Sequence, residues 1–155
     1  MTVKILRKTA VRMPSLSVNG DWIDLFAPEY VDCVYERGKS GIIDLGIAMQ
    51  LPKGYEAIVA PRSSTFKHFG IILVNSIGVI DNSYCGGDDT WKFGYLAFKN
   101  GMITPGARIC QFKVQLSQKA TIWQKIKWLF DNKIKFKEVE FFGGENRGGI
   151  GSTGI

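Results

Sequence analysis

The stretch IILVNSIGVIDNSY, residues 71–84, holds two apolar runs divided by polar residues and closed by a carboxylate. Ile71 to Val74 read as a buried strand, Asn75 and Ser76 interrupt it, Gly78 permits a bend, and Val79 and Ile80 resume the run. The pair reads as a rigid hairpin, with Asp81 where the apolar residues stop. Aspartate is common in turns because its side chain bonds nearby backbone, so Asp81 is either a turn former or a working group held on a stiff frame.

Similar short runs fill most of the chain. Residues 3–8 alternate weakly, GDWIDLFA (Gly20 to Ala27) is a second candidate strand, and GIIDLGIAMQLPKGYEAIVAPR (Gly41 to Arg62) reads as two strands joined at Pro52 to Gly54. WKFGYLAF (Trp91 to Phe98), ARICQFKV (Ala107 to Val114) and KIKFKEVEFF (Lys133 to Phe142) continue the pattern. Strands at these intervals, punctuated by Gly, Pro, Asn and Asp, predict an all-β sandwich, jelly roll or small barrel. TIWQKIKWLFDN (Thr121 to Asn132) breaks the rhythm: Ile122, Ile126 and Leu129 share a helical face and Thr121 can cap it, which predicts one short helix. A chain of 155 residues, 45% of them hydrophobic, suits one domain. The expected division is a β domain over residues 1–142, with a basic helical insertion at about 115–135, and a flexible glycine-rich arm over 143–155.

The formal net charge of +6 is local. Residues 113–137 carry seven lysines against Asp131, and the remaining 13 basic and 13 acidic residues cancel. Lysines on one helical segment point to a solvated face, a contact between subunits, or a nucleic-acid or protein partner. Cys33, Cys85 and Cys110 are odd in number and widely spaced, which suits a reduced, cytoplasmic protein, and His68, the only histidine, excludes a histidine-rich metal site. MTVKILRKTAVRM mixes charge among its apolar residues, so neither a signal peptide nor a membrane anchor is expected.

Three further stretches have more polar specificity than a core requires. PRSS (Pro61 to Ser64) offers a planar guanidinium and two hydroxyls, groups suited to phosphate oxygens, although a capped turn has the same composition. Gln111 should share a face with Ile109, where its amide either knits the core or faces a polar site. GGIGSTG (Gly148 to Gly154) has glycines that let backbone N–H groups approach phosphate, with Ser152 and Thr153 as added donors, but it lacks the Walker pattern. Taken together with Asp81, these groups make a site for a polyphosphate attacked by water. A triphosphate brings its own Mg²⁺, which needs few protein ligands.

In order and content these segments resemble the motifs of the trimeric deoxyuridine triphosphatase (dUTPase) family: GDWIDLFA, PRSSTFKHFG, NSIGVIDNSYCGG, PGARICQF and RGGIGSTG. The resemblance implies a jelly roll of the β-clip type, a homotrimer with shared active sites, and Mg²⁺-dependent hydrolysis of dUTP to dUMP and pyrophosphate. By position, Asp81 would activate water, Asp24 would hold Mg²⁺ through a water, and Arg62, Ser63, Ser64 and Gln111 would contact phosphates. Asn75 and the backbone of Gly78, Val79, Ile80 and Asp81 would read uracil, with Tyr84 under the deoxyribose. Arg147, Ile150, Ser152 and Thr153 would close from the arm. Such an enzyme would limit uracil in DNA and supply dUMP for thymidylate synthesis.

The match departs from the family in three places: Arg147 precedes Ile150 by only three residues and no aromatic follows, GGDDTW (Gly86 to Trp91) lengthens the exit of the third motif, and the lysine-rich helix is an insertion. A dCTP deaminase shares the Arg-Ser-Ser turn but needs a glutamate on the strand after the third motif, and residues 91–98 contain none. A regulatory or DNA-binding role through the lysine-rich insertion is the other alternative.

Overall fold

The computed structural model describes residues 1–16, 20–30 and 33–148. In chain order the strands are β1 (Thr2–Arg7), β2 (Ser15–Leu16), β3 (Ile23–Phe26), β4 (Cys33–Tyr35), β5 (Ser40–Gln50), β6 (Tyr55–Pro61), β7 (Ile71–Leu73), β8 (Gly78–Asp81), β9 (Thr90–Ala97), β10 (Gly101–Ile103), β11 (Arg108–Leu116) and β12 (Lys135–Glu138). Two helices interrupt them, α1 (Thr65–Phe69) and α2 (Ile122–Phe130). The strands form two five-stranded sheets, ordered β12-β1-β5-β9-β7 and β2-β3-β11-β6-β8, and a ribbon of β10 with β4. The expected all-β jelly roll is the observed architecture, with the expected inserted helix at α2 and one further short helix, α1, that was not expected.

Period-two alternation buries one face of each sheet, and the two faces share one core. Ile43, Leu45, Ile47, Met49 and Phe93 come from one sheet, and Leu25, Ala57, Val59 and Phe112 from the other. Trp91 on β9 meets Phe112 on β11 edge-on, with ring centroids 5.0 Å apart, a geometry worth about 0.5–1.5 kcal/mol beyond the area it buries. In β5 a register shift falls between Asp44 and Ala48, and Gly46 sits there at φ +67°, donating its N–H to Asp44 Oδ1 at 2.8 Å. That dihedral favours glycine, and the resulting bulge lets β5 bend around the core.

Two expectations need correction. Residues 71–84 do not form a hairpin: β7 pairs with β9 in one sheet, whereas β8 pairs with β6 in the other. The Asn75–Ile77 turn, with Ser76 at φ +61°, carries the chain across the sandwich. Nor is the first run wholly buried, since Ile71 and Leu73 point inward while Ile72 and Val74 are exposed. The two strands joined at Pro52 to Gly54 likewise lie in different sheets.

Helix α2 forms where expected, and Thr121 and Gln124 complete a reciprocal capping box. Gln124 also donates to the Lys53 carbonyl, and Trp128 packs on Tyr55 with ring centroids 5.5 Å apart. The rest of its apolar side faces outward: Ile122, Trp123, Leu129 and Phe130 are all exposed.

Because Phe112 is fully buried against Trp91, Phe112→Ala should cost about 3–5 kcal/mol. Urea denaturation at fixed protein concentration measures this; a loss under about 1 kcal/mol would mean that the two sheets do not depend on this contact.

Candidate active site

The central strand β11 lies between β3 and β6, and its register places Gln111 beside Asp24 on one side and Ala60 on the other. A register shift between Arg108 and Cys110 breaks simple alternation, so Ile109 and Cys110 are both buried while Gln111 is half-buried at the polar end of the strand. Its Nε2 donates a long 3.5 Å hydrogen bond to the Pro61 carbonyl.

Asp24, only 2% exposed, is the anion of this cluster. Arg62 Nε lies 2.8 Å from its Oδ1 and Arg108 Nη1 3.3 Å from its Oδ2. The second contact is a hydrogen bond, whereas the first is close but misaligned, leaving Oδ1 without a hydrogen-bond partner among the described residues. A buried carboxylate needs compensating charge, and here it fixes two guanidinium groups at the mouth of the sandwich. Sequence reasoning missed Arg108, although it stands within the ARICQF segment that was read for Gln111. Ser63 is exposed, and the Ser64 side chain makes no cap to α1. The turn is instead held by Thr65, whose Oγ1 accepts from Arg62 N and donates to the Ile109 carbonyl.

No three His, Cys, Asp or Glu side chains among the described residues gather into a metal cage. The donor set fits Mg²⁺ only in another way. A hydrated ion carried by a triphosphate would meet Asp24 only through water, since its carboxylate is buried behind Arg62 and Arg108.

A second cluster forms at β8. This strand ends its sheet and pairs only with β6, so the backbone groups on its outer edge are unpaired by strand among the described residues. Asn75 is exposed at the preceding turn, and Gly78 and Ile80 are partly covered while Val79 points outward. Tyr84 donates to the Thr90 carbonyl at 2.8 Å and receives Lys92 Nζ at 3.3 Å, which fixes its ring.

Asp81 Oδ1 accepts from Ser83 N at 2.8 Å and Ser83 Oγ at 2.5 Å. Arg147 Nη1, from the arm, donates to Asp81 Oδ2 at 2.8 Å and to Ser83 Oγ at 2.7 Å. Burial pushes the Asp81 carboxyl up, but the hydrogen bonds from Ser83 and Arg147 and the guanidinium charge outweigh it and hold the group below the usual carboxylate range. Asp81 is thus both a turn former and a group held in place, and Ser83 is a partner that sequence reasoning did not single out. Ile150, Ser152 and Thr153 lie outside the described residues.

The two clusters do not meet within one chain. Asp81 is in register with Glu56 at one end of β6, and Arg62 follows Pro61 at the other. Six residues of strand, at ~3.3 Å each, put roughly 20 Å between them.

Two arginines held on a buried carboxylate, and elsewhere an aspartate beside an open strand edge, are the equipment of a nucleotide-binding β sandwich. The dUTPase family model matches residues 13–127, and the chain belongs to that family. It is 42% identical over 152 residues to the SPbeta prophage-derived deoxyuridine 5'-triphosphate nucleotidohydrolase YosS of Bacillus subtilis (strain 168), covering 98% of this chain and 96% of the relative. It is 34% identical over 157 residues to the deoxyuridine 5'-triphosphate nucleotidohydrolase of Finegoldia magna, covering 99% of each. Among solved structures, the dUTPase of Streptococcus mutans aligns with a TM-score of 0.61 at 19% identity, over 70% of this chain and 88% of that one. A mutant dUTPase from phage phi11 of S. aureus, solved with a structural Mg(II) ion, aligns with a TM-score of 0.64 at 16% identity, over 77% of this chain and 94% of that one.

A depressed carboxyl contributes stability above its unfolded value that is lost as pH falls through the folded value. For Asp81 this loss should lie below its ordinary 3.8. Carboxyl-carbon NMR should therefore give Asp81 a midpoint below 3.8, and Arg147→Ala should raise it; an unchanged midpoint in the variant would mean that the guanidinium does not sit on Asp81.

Proposed function

We propose that the chain hydrolyses dUTP to dUMP and pyrophosphate, at sites that form between the subunits of a homotrimer. The observation that carries this is the separation of two complementary half-sites on one chain. Each is incomplete: one has guanidinium groups, hydroxyls and an amide but no free base, and the other has a carboxylate beside an open strand edge, paired among the described residues with Arg147 alone. Rotational symmetry with unlike surfaces in contact brings one end of β6 against the opposite end of a neighbour's. Exposed apolar residues support an assembly, since Val34 and Met102 face each other across β4 and β10, and Phe66 packs edge-on to Phe98 while both remain about half exposed.

In this site the open edge of β8, Gly78 to Asp81, offers backbone donors and acceptors to the edge of uracil, with Asn75 beside it. A cytosine presents the reversed pattern and leaves buried polar groups unpaired, which discriminates more strongly than shape alone. The fixed ring of Tyr84 lies under the deoxyribose, where a 2′-hydroxyl would collide. Arg62, Ser63, Ser64 and Gln111 of a neighbour take the phosphates, and Arg108, held on the same carboxylate as Arg62, joins them. Asp81 orients the water and accepts its proton as the water attacks the α-phosphorus; pyrophosphate leaves with the electron pair of the broken P–O bond. Its low proton affinity keeps it ionised at neutral pH, so its catalytic strength comes from aim. Bound Mg²⁺ would neutralise phosphate charge, with Asp24 touching its water shell.

Arg147 donates to Asp81 from the arm. Phosphate oxygens compete for this guanidinium, and its departure exposes the carboxylate to water. The remainder of the arm, residues 149–155, is assigned to closing the site. Three widely spaced cysteines, odd in number and free in the structure, support a reduced, cytoplasmic setting.

Asp81→Asn should retain Mg-dUTP binding and lose pyrophosphate release by at least about a hundredfold, as expected for removal of a positioned base. Arg62→Ala should also be inactive. Co-expressed, the two variants should regain activity at roughly a quarter of the sites, because random assembly pairs two intact halves that often. Full turnover by Asp81→Asn would remove that residue from the chemistry, and a mixture as inactive as its parents would place both halves of the site on one chain.

A further inference from the structure

Residues 85–89, which overlap the GGDDTW stretch (Gly86 to Trp91) read as lengthening the exit of the third motif, form a cradle for the arm. Asp89 is 1% exposed, and its carboxylate accepts Gly86 N at 2.9 Å, Arg147 N at 2.9 and 3.0 Å, and Gly148 N at 3.0 Å. Around it, Asp88 N donates to Asn146 Oδ1 and Asn146 Nδ2 to Asp88 Oδ2, both at 2.8 Å, while Lys8 Nζ pairs with Asp88 Oδ1 at 2.8 Å. The floor is bare: a methyl on Gly86 would lie 2.5 Å from the Asn146 Cα and 2.7 Å from its N, and one on Gly144 would lie 3.1 Å from the Cys85 carbonyl oxygen.

An ionised carboxylate buried among backbone N–H groups is stable only while those donors stay in place, so Asp89 and the arm hold each other. Two consecutive amides, those of Arg147 and Gly148, are fixed by this single side chain. The Arg147 side chain then has one short reach, and it ends on Asp81 and Ser83.

We infer that Asp89 is the positioning residue of the arm: it clamps the backbone of residues 147–148 in the cradle so that Arg147 is delivered to the catalytic carboxylate. The clamp rests on the dUTP-hydrolysis proposal for its catalytic consequence but not for its existence. Asp89 touches neither nucleotide nor reacting water and acts only through the arm. Arg147 can leave Asp81 for phosphate by side-chain rotation while its backbone stays bound.

Asp89→Asn and Gly86→Ala test this by different means in the full-length protein. The first removes the charge that gathers the amides; the second keeps Asp89 and fills the cradle, at a residue whose backbone lies outside the left-handed region. In each, the Arg147 and Gly148 amides should exchange with solvent at least about tenfold faster than in the wild type, with β9 and β11 unchanged, since a local contact opens without global unfolding. kcat/KM for dUTP should fall roughly tenfold to a hundredfold, as for misplacement of a catalytic element. If Asp89→Asn exchanges faster throughout the chain it has unfolded, and Gly86→Ala decides. Unprotected Arg147 and Gly148 amides in the wild type, or selective loss of their protection with full activity, would overturn the inference. A wild-type protein inactive on dUTP would defeat the proposed function, while exchange would still decide whether the clamp exists.

Discussion

Everything about this site follows from the register of one strand. β6 pairs with β11 on one side and β8 on the other, setting Pro61 against Cys110 at one end and Glu56 against Asp81 at the other. Slipping either pairing by one residue would turn the buried Ala57 and Val59 toward solvent, so hydrophobic burial fixes the register. The same burial therefore fixes the distance between Arg62 and Asp81. The six residue steps from Glu56 to Arg62 hold them apart, and the proposed shared site is the arrangement that joins them through a second copy of the chain.

Charge is arranged differently at the two ends. Asp24 is buried and constrains Arg62 and Arg108, which makes it the organiser of a cationic surface. Asp81 is nearly half exposed and held by one arginine and one serine, so its partner can be exchanged. A buried pair resists substitution because breaking it strands a charge, whereas an exposed pair is worth little and opens readily. Stability is spent at the phosphate end and mobility is retained at the base, as the proposed chemistry requires.

Local signals in the sequence were sufficient for the local structure. The capping residues Thr121 and Gln124 and the period of Ile122, Ile126 and Leu129 located α2, and alternation located most strands. Asp81 and Arg62 were picked out as polar groups at the ends of apolar runs and Gln111 as an amide inside one, whereas Asp24 came only from the family resemblance. What periodicity does not encode is the sheet to which a strand belongs. Residues 71–74 and 78–81 have the pattern of a hairpin, and their assignment to opposite sheets depends on β6 and β9, each distant in sequence or separated by a turn. Arg108 was passed over because a bulge alters the face on which it falls. Asp89 was missed because its donors come from residues 86, 147 and 148, and a loop rich in Gly and Asp looks the same whether it is solvated or packed. Its one visible mark was an aspartate adjoining the buried Trp91 strand.

The shared site is tested most directly by determining the structure of the assembled protein with Mg²⁺ and a non-hydrolysable dUTP analogue. The account predicts uracil against Gly78 to Asp81 of one chain, with the phosphates on Arg62 and Gln111 of another. A nucleotide held end to end by a single chain, or a base bound away from β8, would contradict it.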